Sequence, residues 1–155
     1  MATLEKLVTD AKRLSRYIIE EIGEEHQPTL LLDDGEEITV IQFKLSDTLK
    51  EDWQAFLPAL LRHYNAQCYL LIIEGWATKT QDPKLIKELE DGRMRVSNLP
   101  PDDRTEVLVI QAVEKGGVCQ LCTAEIKLLP DNKRQVGEFK EDSETPTWRM
   151  IVKDW

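Results

Sequence analysis

A chain of 155 residues with an apolar fraction of 41% makes one domain, 1–155, able to bury its own core without disulfides or a structural metal. Its formal net charge of −9 argues against unspecific nucleic-acid binding, which needs a basic footprint. No apolar run reaches the roughly 18–20 residues of a membrane span, and the acid-bearing N-terminus does not read as a signal peptide, so the expectation is a cytoplasmic protein with no membrane partner.

Leu4, Leu7, Val8, Ala11, Leu14, Ile18 and Ile22 recur at helical spacing and predict an amphipathic helix over residues 1–24, stopping near Gly23. From Glu20 to Glu37 the chain carries eight carboxylates and no Lys or Arg. The stretch reads as a solvated helix end followed by a charged hairpin tip, since Asp33-Asp34-Gly35-Glu36-Glu37 lacks the spacing of a calcium loop. Around that turn, Thr29–Leu32 and Ile38–Phe43 form a hairpin.

Thr48 and Glu51 have capping-box spacing, and Trp53, Phe56, Leu57, Leu60, Leu61 and Tyr64 follow as an i, i+3, i+4 stripe on a second helix. Pro58 lies on its polar side and predicts a bend or break. Two apolar runs rich in β-branched residues, Cys68–Ile73 and Glu106–Val113, read as central strands buried on both faces. They are separated by an excursion over 77–103, far longer than an ordinary sheet loop. Within it Asp82 as N-cap, Pro83 at the first position and Gly92 as stop mark a short helix, Lys84–Asp91. A β-meander completes the chain: Gly116-Gly117 turns into Val118–Leu128, Pro130-Asp131-Asn132 leads to Gln135–Phe139, and Thr147–Lys153 alternates like a last strand.

The order of elements predicts an α+β fold, a largely antiparallel sheet of about six strands with two long helices packed on one face. The opposite face then needs cover, either from the small helix or from a second copy of the chain.

Sequence motifs for chemistry are sparse. No nucleophile elbow, phosphate-binding glycine loop or zinc-protease helix is present, so no catalytic residue, metal ligand or cofactor is assigned. Cys119 and Cys122 form a C-x-x-C string, but on an alternating strand positions three apart face opposite sides of the sheet and cannot close on one metal. His26, in a linker, and His63, near a helix end, stand isolated in sequence.

One constellation stays open: Glu74, Trp76, Asp102, Asp103, Arg104 and Glu106. Glu74 and Trp76 leave one central strand on a common face, and Arg104 and Glu106 enter the other the same way. Antiparallel pairing would gather them at one end of the sheet. The structural expectation is a salt bridge from Arg104 to Glu74 or the Asp102-Asp103 turn; the functional one is an anion- or metal-binding cleft with an arginine clamp.

The strings IIEGW and NLPPDDRTEVLVI resemble a pattern in a family of small uncharacterised proteins of prokaryotes and their phages. There a strand ending in Glu-x-Trp is followed by a Pro-rich acidic turn, an Arg and a Glu-Val-Leu strand. The matching positions are Glu74, Trp76, Pro101, Asp103, Arg104, Glu106, Val107 and Leu108, about a quarter of the chain being covered. The resemblance implies no activity.

The expected function is therefore non-enzymatic: an accessory or interaction protein acting through protein–protein contacts, as a homo-oligomer and with an unidentified protein partner. The alternative is an enzyme or a small-ligand, anion or metal binder using the Glu74/Arg104 cleft. A third reading, an acidic mimic of nucleic acid, rests on net charge alone.

Overall fold

A computed structural model describes residues 4–44, 46–78, 81–100, 102, 104–117, 119–142, 152 and 155. Helix α1, Leu4–Tyr17, runs into a π-helical turn at Ile18–Ile22, and strands β1 (Thr29–Asp33) and β2 (Ile38–Gln42) form the hairpin. Helix α2 spans Asp47–His63, followed by β3, Cys68–Thr78, and α3, Pro83–Glu90. A 3₁₀ turn at Val96–Asn98 leads to β4 (Arg104–Glu114), β5 (Cys119–Leu128), β6 (Arg134–Val136) and β7 (Lys140–Asp142). The architecture is α+β, and every strand pairing is antiparallel. The sheet order is β2-β1-β3-β4-β5-β6, with β7 also on β5. No helix among the described residues is long and apolar enough to cross a membrane.

The two long helices lie on opposite faces of this sheet, which corrects the one-face expectation. Leu4, Leu7, Val8 and Ala11 of α1 pack with Leu70, Ile72, Leu108, Ile110 and Ala112. Trp53, Leu57 and Leu61 of α2 pack with Tyr69, Leu71, Ile73, Val109 and Val113. Alternate residues of a strand point to opposite faces, so these are two separate cores. The cause is topological. β1 separates the parallel strands β2 and β3, and α2 makes the crossover between them, on the side that α1 leaves open. The uncovered face that called for the small helix or a second copy therefore has its cover in α2.

On α1 the buried stripe drifts from the expected one. Ser15 and Ile19 are buried, whereas Leu14 and Ile22 are half exposed. Steps of four residues advance about 40° beyond a full turn. The wider π turn, with Gly23 and Glu24 N–H both donating to Ile18 O at 3.0 and 3.2 Å, brings Ile19 back over the sheet. Gly23, at φ 78°, ends the helix in the left-handed region.

Helix α2 is continuous through Pro58, without the break that residue allowed for. Its N-cap is Ser46 rather than Thr48: the Ser46 hydroxyl accepts the Leu49 N–H at 3.1 Å. Ser46→Ala is expected to cost about 1 kcal/mol, read as a lower midpoint in urea unfolding; an unchanged midpoint would remove the cap's role. The excursion helix is capped as expected, Asp82 accepting from Lys84 N–H at 3.0 Å, but none of its residues is buried.

Cys122 joins the α1-side core and Cys119 packs on the α2-side core, as strand alternation requires, and no disulfide joins the three cysteines. Burial, with Asp33 and Glu114 nearby, pushes the Cys68 thiol up to about 11. The expected last strand, Thr147–Lys153, lies outside the described residues except for Val152. That residue and Trp155 dock on the α2 side, where Val152 N–H donates to the Tyr69 hydroxyl at 3.0 Å and Trp155 Nε1 to Ala66 O at 2.7 Å.

Candidate functional site

Antiparallel pairing of β3 with β4 sets Trp76 opposite Glu106 and Thr78 opposite Arg104. The predicted residues Glu74, Trp76, Arg104 and Glu106 therefore share the α1 face, beyond the point where its apolar core ends at Leu108 and Ile126. Asp102 is exposed in the turn before β4, and Asp103 lies outside the described residues.

The guanidinium that meets Glu74 is Arg134 of β6, not Arg104. Arg134 Nη2 stands 2.9 Å from Glu74 Oε1 and also closes on Glu106 Oε1. Antiparallel register places Arg134 opposite Leu128, and from there its long side chain crosses β5 to reach β4 and β3. Burial works against the Arg134 charge, but the two carboxylates outweigh it and hold its pKa above the ordinary value. Arg104 instead stacks its guanidinium on the Trp76 ring, 4.5 Å from the centroid, as a diagonal cross-strand pair allows.

The loop that descends from the π turn closes the third side. His26 N–H donates to Glu74 Oε1 at 3.3 Å, and its ring is almost wholly buried, with 4% exposure. Nδ1 lies 2.9 Å from Gln27 O. A carbonyl only accepts, so that nitrogen carries the proton and Nε2 presents a lone pair. Nε2 meets no hydrogen-bond partner among the described residues. Burial lowers the His26 pKa against the opposing pull of the Gln27 carbonyl, which favours the neutral imidazole. Burial likewise raises the Glu74 pKa, although the His26 N–H and Arg134 resist it.

Together these groups line a cleft of about 270 Å³ formed by Glu25, His26, Gln27, Pro28, Glu74, Gly75, Trp76 and Glu106. Among the described residues its charged lining is carboxylate, and Arg134 pairs two of the three, Glu74 and Glu106. No group of three or more His, Cys, Asp or Glu among the described residues is arranged to hold a metal ion. Sequence reasoning missed Arg134 and His26. Continuing the strand alternation into β6 would have put Arg134 on the face of Glu74 and Glu106, whereas nothing local marked His26 as buried.

No protein-family model, curated protein or solved structure matches the chain, so the resemblance drawn from Glu74, Trp76, Arg104 and their neighbours rests on those residues alone.

Proposed function

We propose that this is a binding protein whose cleft takes a small ligand bearing a cationic amine or guanidinium group. The observation that carries the reading is a wall whose charged members, among the described residues, are Glu25, Glu74 and Glu106, three carboxylates against the single guanidinium of Arg134 that pairs two of them. Such a wall offers acceptors, so it suits a hydrogen-bond donor and disfavours an anion. Trp76, 43% exposed with Arg104 stacked on its ring, adds an aromatic surface for the ligand's apolar part. The alternative function read from the sequence is thus favoured in its small-ligand form. The two-sided apolar strands, which motivated a protein-contact role, are covered within one chain by α1 and α2.

The test is thermal stabilisation by putrescine, agmatine and arginine methyl ester, with inorganic phosphate and acetate as controls. The amines are expected to raise the melting temperature in low salt, and Glu106→Gln and Trp76→Ala to reduce the effect several-fold. Because burial lowers the His26 pKa, the stabilisation should persist as pH falls through about 6.5, where an ordinary imidazole charges, and fade as Glu74, whose pKa burial raises, takes up its proton. Stabilisation by phosphate and not by amines would overturn the assignment.

A further inference from the structure

The two edges of the sheet are built differently. Along β5 the outer edge is divided between β6 and β7, whose registers differ by one residue, so a bulge lies at Gly137–Phe139. Side chains of the first helical segment then occupy its outward backbone groups. Glu20 Oε2 accepts the Val136 N–H at 3.0 Å, and Arg16 donates to Val136 O and Gly137 O at 2.9 and 3.1 Å. β7 itself is Lys140-Glu141-Asp142. Bulge, charge and covering side chains are the devices that keep an edge from pairing with another chain.

β2 has none of them. Ile38-Thr39-Val40-Ile41-Gln42 carries no charge, proline or bulge, and pairs only with β1 among the described residues. The hairpin ladder is bracketed by Asp34 N–H to Glu37 O and Phe43 N–H to Pro28 O. Hydrogen-bonded and non-bonded pairs alternate, so Glu37, Thr39, Ile41 and Phe43 turn their backbone groups toward β1. Ile38, Val40 and Gln42 turn theirs outward, and the Ile38 and Val40 side chains are 48% and 60% exposed.

We infer that β2 pairs with β2 of a second copy, antiparallel about a two-fold axis through Val40, joining the two sheets into one. In that register Ile38 faces Gln42 of the second copy, and Val40 faces its own equivalent. The outward amides and carbonyls of all three residues then meet as hydrogen-bonded pairs. The same register sets Glu36, just before the strand, beside Lys44 of the second copy, just after its strand, and the symmetry makes that contact twice. This charge match, together with the parity of the free backbone groups, favours a copy of this chain as the occupant over an unrelated strand. The pairing stands independently of what the cleft binds.

Light scattering across a micromolar concentration series is expected to return about 36 kDa, twice the 17.9 kDa chain. Val40→Lys should raise the dissociation constant by about tenfold or more, because two ammonium groups then face each other across the axis. Val40 is exposed, so circular dichroism should show the fold unchanged. Glu36→Lys and Lys44→Glu should each weaken the dimer several-fold, and the double swap Glu36→Lys/Lys44→Glu should restore it. A monomer throughout the series overturns the inference, as does a dimer indifferent to Val40→Lys. Failure of the double swap to restore association overturns the register.

Discussion

Arg134→Ala is expected to cost about 2–4 kcal/mol, because it leaves the Glu74 carboxylate in a largely buried site without its cation. The two side chains are 17% and 13% exposed, so solvent repays only part of the loss. The pH dependence has a definite sign. Burial already raises the Glu74 pKa from its ordinary value, and removing Arg134 drives it higher. A carboxyl with a raised native pKa takes up its proton in the folded state first, so folding gains as pH falls through that pKa toward the unfolded value of about 4.3. The deficit of Arg134→Ala should therefore be larger at pH 8 than at pH 5. Pairing Arg134→Met with Glu74→Gln should recover most of the stability, since neither partner then buries an unmatched charge. Arg104→Ala should cost less, its guanidinium lying on a half-exposed indole. Urea unfolding of these variants at the two pH values decides the matter; an Arg134→Ala protein as stable as wild type would show that the Glu74–Arg134–Glu106 group carries no structural weight.

Features set by a few neighbouring residues were legible in the sequence. The Asp33-Asp34-Gly35 turn, the Asp82-Pro83 start of the excursion helix and the opposed thiols of Cys119 and Cys122 each follow from contacts or alternation within ten residues. The placement of the helices was not legible, for a specific reason. Leu70 and Ile72 on one face of β3 are as apolar as Tyr69 and Leu71 on the other, so both faces demanded cover and no residue stated which helix went where. That choice lies in the pairing of β1 with both β2 and β3, a long-range fact. The candidate site divides similarly. Glu74, Trp76, Arg104 and Glu106 were gathered correctly because the antiparallel pairing of two neighbouring apolar strands brings them together. Arg134 enters the group from a three-residue strand two positions across the sheet, and His26 through a loop whose burial depends on how the π turn ends.

Tyr69→Phe should likewise cost about 2–4 kcal/mol, for a different reason: one buried hydroxyl satisfies several polar groups at once. The Tyr69 hydroxyl donates to Val152 O at 2.9 Å and accepts from Val152 N–H at 3.0 Å and from Gln111 Nε2 at 3.1 Å. Tyr69 and Gln111 are fully buried in central strands, so phenylalanine would strand these groups in an apolar site rather than return them to water. The Val152 contacts also anchor the C-terminal end, where the Trp155 ring packs against Tyr69 with centroids 5.6 Å apart. Loss of the hydroxyl should therefore release that end, seen as faster trimming by carboxypeptidase. Deleting residues 152–155 should cost little more in the Tyr69→Phe background, because the two changes remove the same interaction. Alkali supplies a second check. Burial pushes the Tyr69 pKa up to about 12, from an unfolded value of about 10. Its contribution to stability is thus fully present below pH 10 and is lost as pH rises through about 12, since the unfolded phenol ionises first. Phenylalanine has no such loss, so the gap between wild type and Tyr69→Phe should narrow from pH 9 to pH 12. A gap that stays constant over that range would mean the hydroxyl is not held as the geometry places it.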